Sequence, residues 1–140
     1  MEKLAKIKIE IELNHDIDKV WRYFTEPEHI VNWYYASDDW QCPSAINNLS
    51  VGSKFNFRME AKDKSFGFDF EGEYLKVAIH DELEYILSDG RMINIFFKSI
   101  DNKVTLTEIF DPDEVNPIEM QREGWLSILR NFKRYIEAGE

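Results

Sequence analysis

Apolar and polar positions alternate along residues 4–13, where every second residue from position 5 onward is apolar. Successive side chains of a strand point to opposite faces, so a period of two with β-branched residues is typical of a half-buried strand. The alternation returns after Gly52 and continues, interrupted by short polar turns, to about position 110. The strands predicted in this region are residues 54–60, 66–79, 83–87, 91–100 and 104–110. One further short strand, residues 41–46, is predicted in the weakly patterned loop that precedes Gly52.

These strands form an antiparallel meander, because no long crossover separates them. The parity of the apolar positions switches near Tyr74 and Leu75, which indicates a β-bulge. Between the first strand and the meander, residues 17–24 show helical spacing and predict a short helix. Thr25 and Glu28 have the spacing of a capping box, so a second short helix is expected to follow.

A long amphipathic helix is predicted over residues 117–137. Its apolar stripe contains Ile118, Gln121, Trp125, Ile128, Leu129, Phe132, Tyr135 and Ile136. We expect Trp125 to be buried against the sheet, so that its truncation to Ala costs about 3–5 kcal/mol. Glycine in a helix costs about 1 kcal/mol relative to Ala, so Gly124 suggests that another element approaches closely there.

The order of elements predicts an α+β domain spanning residues 1–140. In it, a curved antiparallel sheet of six to seven strands wraps around the long C-terminal helix, and two short helices follow the first strand.

The composition of the chain excludes several classes of function. The formal net charge is −10, which disfavours nucleic acid as a partner because phosphate binding needs a basic face. With a single cysteine, no long apolar run and no signal-peptide pattern at the start, we expect a cytoplasmic protein without membrane insertion.

Seven short segments, taken together with their order and spacing along the chain, resemble the START-like (SRPBCC, helix-grip) superfamily. The branch most similar to this chain is that of proteins homologous to the activator of the ninety-kilodalton heat-shock-protein ATPase. The resemblance implies a helix-grip fold with a cavity between sheet and helix, in which superfamily members bind lipids, sterols or polyketides. The segments that carry it are Val20-Trp21, Pro27-Glu28, Trp33-Tyr34, Val51-Gly52-Ser53-Lys54-Phe55, Phe70-Glu71-Gly72-Glu73-Tyr74, Thr105-Leu106-Thr107-Glu108 and Gly124-Trp125.

Glu108 is the unusual residue of the last strand. It shares its parity with Val104, Leu106 and Phe110, which form the more apolar face, so its carboxyl is expected to face the helix. A buried carboxyl needs a partner or a raised pKa. The alternative is that Glu108 lies near the strand end, where it reaches water or pairs with a Lys or Arg.

The chain contains 20 aromatic residues, which either fill the core or leave space lined by rings. Ligand pockets are mostly apolar with a few placed polar groups, so the inner face is the candidate binding site. The predicted ligand-binding residues are Trp33, Phe57, Phe68, Phe70, Tyr85, Phe97, Glu108, Trp125 and Leu129.

Other reactive side chains show no pattern typical of chemistry. The three histidines, His15, His29 and His80, lack metal-ligand spacing, and Cys42 has no basic neighbour in sequence. The acidic residues at positions 111, 113 and 114 lack the glycine that a calcium loop uses, so they are expected to form a solvated connector. We therefore expect no metal, no cofactor and no catalytic residue.

The leading functional hypothesis is non-catalytic binding of a small apolar or aromatic molecule between the sheet and the C-terminal helix. A second hypothesis, implied by the family resemblance alone, is a co-chaperone-like role in which the partner is a chaperone whose ATPase is stimulated. A third is a cyclase or hydrolase that uses Glu108 as an acid or base, which needs a second polar group within hydrogen-bond reach.

Overall fold

A computed structural model describes residues 5–138 of the chain. It contains seven strands and three helices within that range, in the predicted order. Position 4 of the first predicted strand lies outside the described residues. The elements are β1 (Ile7–Leu13), α1 (Ile17–Thr25), α2 (Pro27–Ile30), β2 (Trp40–Asn47), β3 (Lys54–Ala61), β4 (Gly67–Ala78), β5 (Glu82–Leu87), β6 (Met92–Ile100), β7 (Lys103–Phe110) and α3 (Ile118–Ala138).

The seven strands form one antiparallel sheet in the order β1-β7-β6-β5-β4-β3-β2. The chain starts at one edge in β1, passes through α1 and α2 to the opposite edge, and returns strand by strand until β7 pairs with β1. The sheet curls into a half-barrel, and α3 lies across its inner side. The predicted α+β architecture is confirmed. At 1.5 Å per residue, the 21 residues of α3 span about 30 Å.

Turn conformation and one β-bulge set the register between neighbouring strands. Asp101 and Asn102 connect β6 to β7 with φ values of 51° and 61°, a left-handed conformation that Asn and Asp tolerate better than most residues. The β4–β5 ladder shifts register between Tyr74 and Lys76, so the predicted bulge is confirmed. Leu75 lies in the bulge and is exposed.

The predicted capping box at the start of α2 is wrong. Thr25 is still the last residue of α1, and its hydroxyl donates to the carbonyl of Trp21 at 2.7 Å. The N-cap of α2 is Glu26, which makes no capping hydrogen bond through its side chain. The helix ends at Ile30, which leaves Trp33 and Tyr34 in the segment that follows.

One side of the interior is mainly apolar and joins α1, α3 and the segment after α2. The ring of Phe132 packs edge-on against Phe24 at 5.3 Å and against Trp33 at 4.7 Å. The α3 side chains Leu129, Phe132 and Ile136 are buried here. Asn131 donates to the Tyr35 carbonyl at 2.9 Å, which ties α3 to the segment after α2.

Candidate functional site

Glu108 faces the inner side of the sheet, as its parity in β7 predicts. It pairs across the ladder with Ile9 of β1 and Ile95 of β6, and both of these side chains are buried. Glu108 itself is only 5% exposed. A carboxyl group therefore lies within the apolar interior, and the alternative in which it reaches water is wrong.

Burial controls the electrostatics of this group. It raises the pKa of Glu108 from its ordinary value of 4.5 to about 8. Among the described residues, no hydrogen bond and no cation offsets this effect. The carboxyl is thus mostly protonated at neutral pH, and in that form it can donate a hydrogen bond or a proton.

Two tyrosines accompany Glu108. Tyr34 comes from the segment after α2 and Tyr85 from β5, and their hydroxyl groups interact with each other. Burial raises the pKa of each phenol well above its usual value, and the nearby Glu108 charge adds to the effect on both. We call Glu108, Tyr34 and Tyr85 the polar centre.

Two aromatic rings cover the polar centre on the side of α3. The ring of Phe70, on β4, lies 5.6 Å from that of Tyr34 and 6.5 Å from that of Tyr85. Trp125 of α3 contacts Phe70 at 5.7 Å and stacks on Phe110 at 4.3 Å. Because Phe110 and Glu108 share the inner face of β7, Trp125 and Phe70 together separate the polar centre from solvent. Both rings are only partly buried.

A second set of polar groups lies deeper, near the far edge of the sheet. The Tyr74 hydroxyl donates to Asn47 at 2.6 Å, and the Asn47 amide donates to the Thr25 carbonyl at 2.7 Å. These bonds connect β4, β2 and the end of α1. These side chains are hydrogen-bonded, whereas no hydrogen bond to the Glu108 carboxyl is found among the described residues.

The space among these side chains is small. The internal cavity bordered by Tyr34, Asn47, Tyr74 and Tyr85 has a volume of about 10 Å³, enough for the centre of a single water molecule. Larger depressions lie on the outer surface, one of them about 330 Å³ beside Glu73. Among the described residues, the expected ligand-sized cavity between the sheet and α3 is therefore not found in this conformation.

The predicted site residues divide into three groups. Phe57, Phe70, Tyr85, Glu108 and Trp125 surround or form the polar centre. Trp33, Phe97 and Leu129 are buried at the apolar side of the interior, where Phe97 meets Phe24 at 5.5 Å.

Phe68 belongs to neither side of the interior. It has the predicted parity, but the β3–β4 hairpin extends beyond α3, so Phe68 is 47% exposed and lies near Trp40 at 6.0 Å.

The sequence patterns do not predict Tyr34 as a site residue. It follows the end of α2, where neither a strand period nor a helix period assigns a face. The available signal was its place beside Trp33 in an apolar run. The expectation for Gly124 is also wrong, because a Cβ atom built there meets no atom within 4 Å.

The remaining reactive side chains have structural partners. His29 Nδ1 lies 2.7 Å from the Tyr135 hydroxyl, and its ring stacks on Tyr23. His80 Nε2 lies 3.5 Å from an Asp18 oxygen. Cys42 is buried, and desolvation raises the pKa of its thiol to about 11, so it is a poor nucleophile at neutral pH.

The acidic connector before α3 is organised by its own hydrogen bonds. The Asp113 carboxylate accepts from the backbone of Val115 and Asn116, while Asp111 accepts from Lys6 at 2.7 Å. Gln121 donates to the carbonyls of Asp113 and Asn116. Within residues 5–138, no group of three His, Cys, Asp or Glu side chains is arranged to hold a metal ion.

These features define a helix-grip domain of the START-like class, a class consistent with ligand-binding and with co-chaperone-like proteins. The family model for Activator of Hsp90 ATPase homolog 1-like proteins matches residues 14–137. The chain belongs to this family. No curated protein matches it in sequence. In the part of the chain that the structure describes, no helix is long and apolar enough to cross a membrane.

Solved structures support the same assignment. An AHSA1-like protein from Aeromonas hydrophila is 37% identical, with a TM-score of 0.87 over 95% of this chain and 94% of its own. A protein from Cytophaga hutchinsonii is 43% identical, with a TM-score of 0.83 over 96% and 93% of the two chains. A Nitrosomonas europaea protein, 17% identical, has a TM-score of 0.84 over 97% and 96%, which shows the shared fold.

Proposed function

We propose that the protein binds a small apolar or aromatic molecule between α3 and the sheet, without catalysing a reaction, and that Glu108 anchors a polar group of that molecule. The observation that supports this proposal is the buried carboxyl of Glu108, which accepts no hydrogen bond within the described residues. Buried polar groups in proteins are nearly always hydrogen-bonded. A ligand with a hydroxyl or amine would provide the missing partner.

The cost of keeping this carboxyl buried strengthens the proposal. Its pKa of about 8 means that the folded protein takes up a proton at neutral pH that the unfolded chain does not bind. Protonation of an ordinary carboxyl at pH 7 costs about 3 kcal/mol, a large part of the stability of a domain. Strongly perturbed groups of this kind cluster at functional sites.

A ligand has to create its own space, because the cavity holds about one water molecule. Phe70 and Trp125 are the rings that must move. Both are partly exposed, whereas the rings on the opposite side of the interior, such as Phe132, are fully buried. Displacement of Trp125 away from Phe70 opens the polar centre without disturbing the packing of Phe132.

The proposal is tested by a thermal-shift and native mass-spectrometry screen of aromatic and apolar metabolites that carry one hydroxyl or amine. The variant is Glu108→Gln, which keeps the shape of the side chain and removes its acid function. The control is Glu137→Gln, an equal change of charge at an exposed position of α3. We expect binding that weakens in Glu108→Gln and is unchanged in Glu137→Gln. Equal affinities for all three proteins would contradict the anchor role.

A co-chaperone-like role is the second candidate, and it is favoured by the match to the Hsp90-activator family over residues 14–137. The filled interior also favours it, since a protein-binding domain needs no cavity. The test is the ATPase rate of an Hsp90 with increasing amounts of this protein. A saturable increase in that rate would support the second candidate, and an unchanged rate would dismiss it.

A further inference from the structure

The interior holds an acid and no base. Within residues 5–138 the buried polar side chains are Thr25, Glu108, Asp111, Gln121 and Asn131, and none of them is a lysine or an arginine. The carboxyl of Asp111 is paired with Lys6 at the edge of the sheet. A positive charge that neutralises ionised Glu108 must therefore come from a bound molecule.

Aromatic rings lie near the same carboxyl. Tyr34 and Tyr85 interact electrostatically with it, and Phe70 contacts both tyrosines. Trp125 packs against Phe70 and stacks on Phe110, which shares the inner face of β7 with Glu108. The face of an aromatic ring carries partial negative charge, so rings around a carboxylate attract an organic cation. A hydrated inorganic ion gains less, because it has to give up its water to enter an apolar space.

On this basis we propose that the molecule bound at the polar centre is an organic ammonium compound, with its cationic group held by Glu108 and by the rings of Tyr34, Tyr85, Phe70 and Trp125. This inference rests on the proposed ligand-binding function and specifies its ligand class. The net charge of −10 agrees with it, because an acidic surface raises the local concentration of cations.

Binding of such a cation is linked to a proton. A permanent cation stabilises the ionised carboxylate, so the proton held by Glu108 in the free protein is released to solvent. Below a pKa of about 8 the affinity then rises about tenfold for each pH unit, and it becomes constant above that value. The other titratable groups around the centre, Tyr34 and Tyr85, and beyond them Tyr74 and Cys42, all have raised pKa values and stay neutral over this range.

The packed elements add no group that acts on this carboxyl among the described residues. Arg122 of α3 has a buried Nε without a hydrogen-bond partner, but burial is the only influence on the Glu108 pKa. β1 and β6 present Ile9 and Ile95 on either side of Glu108. The buried residues on the inner side of α3 are Gln121, Leu129, Asn131, Phe132 and Ile136, none of which titrates. The pH dependence is therefore attributable to Glu108.

The test compares choline with 3,3-dimethylbutan-1-ol, a neutral compound of the same shape, by NMR titration of the intact protein between pH 6 and pH 9. Above pH 8 we expect choline to bind at least about tenfold more tightly than the alcohol. We expect this preference to disappear near pH 6 and to be absent at every pH in Glu108→Gln. Glu137→Gln is expected to behave as the parent protein.

The outcomes separate this inference from the proposed function. If the alcohol binds as tightly as choline, or if choline does not bind, the ammonium inference is overturned, whereas binding of neutral compounds from the wider screen still supports the ligand site. If the preference for choline persists in Glu108→Gln or does not change with pH, the assignment of the cation to Glu108 is overturned. Failure of every apolar and aromatic compound in the screen overturns the proposed function itself.

Discussion

The two sides of the interior are built on different principles. Around Phe132, rings from α1, α3 and the segment after α2 pack edge to face, and the buried polar side chain beside them, Asn131, is hydrogen-bonded. Around Glu108, rings of similar size accompany a carboxyl with a pKa of about 8 and the interacting hydroxyls of Tyr34 and Tyr85. The packing around Phe132 stabilises the fold, whereas burial of the Glu108 carboxyl lowers the stability of the folded protein. Groups retained at such a cost are typical of binding sites.

The largest effect is expected on the apolar side. Phe132 is fully buried between Phe24 and Trp33, so Phe132→Ala is expected to lower the free energy of unfolding by about 3–5 kcal/mol. Urea denaturation measures this change. A loss below about 1 kcal/mol would mean that the two sides do not differ in the way described.

Truncation of Trp125 should cost less. The sequence predicts full burial and a loss of about 3–5 kcal/mol, but the side chain is only partly buried against Phe70 and Phe110. We therefore expect Trp125→Ala to cost about 2 kcal/mol and to increase the binding of an apolar dye, because it uncovers the polar centre. Denaturation and dye fluorescence of the Trp125 and Phe132 variants, compared directly, test this order. A Trp125 variant that is the less stable of the two would reverse the comparison.

Removal of the acid should stabilise the protein in a pH-dependent way. The folded-state pKa of Glu108 lies above the unfolded value, so the folded protein binds more protons and loses stability as the pH rises from about 4.5 to about 8. Glu108→Gln lacks this loss. We expect it to match the parent near pH 4.5 and to be more stable by about 2 kcal/mol at pH 6, a difference that grows further up to pH 8 because each pKa unit corresponds to about 1.4 kcal/mol. Thermal unfolding across this range measures the difference, and a difference that does not vary with pH would argue against a raised pKa.

The smallest effect concerns a position outside both regions. Gly124 lies within α3, and a Cβ atom there meets no neighbour within 4 Å. Gly124→Ala is therefore expected to stabilise the protein by about 0.5–1 kcal/mol through helix propensity alone. The midpoint of chemical denaturation reports this gain. A loss of stability in this variant would instead support the hypothesis that another element approaches Gly124 closely.

Much of the fold could be predicted because most of the strands have a clear period of two. That period placed Glu108 on the inner face and located the bulge at Tyr74. Periodicity does not show which part of the inner face α3 covers. The sequence therefore predicts Phe68 as a site residue, whereas in the structure it lies in the β3–β4 hairpin beyond the helix and is exposed. Tyr34 follows a helix end, where no period assigns a face, and only the tertiary structure brings it to Glu108. The absence of a ligand-sized cavity among the described residues could not be predicted either. Periodicity shows which face of the sheet an aromatic side chain occupies, but not how tightly the side chains pack there.

The central claim is that Glu108 is a buried acid held protonated at neutral pH. The most direct measurement is an NMR titration of its side-chain carboxyl carbon in the ligand-free protein, assigned by comparison with Glu108→Gln. We predict a titration midpoint near pH 8, because burial is not offset by a hydrogen bond or a cation in the described structure. A midpoint near 4.5, the ordinary value for glutamate, would show that the carboxyl is solvated or paired and would contradict the account.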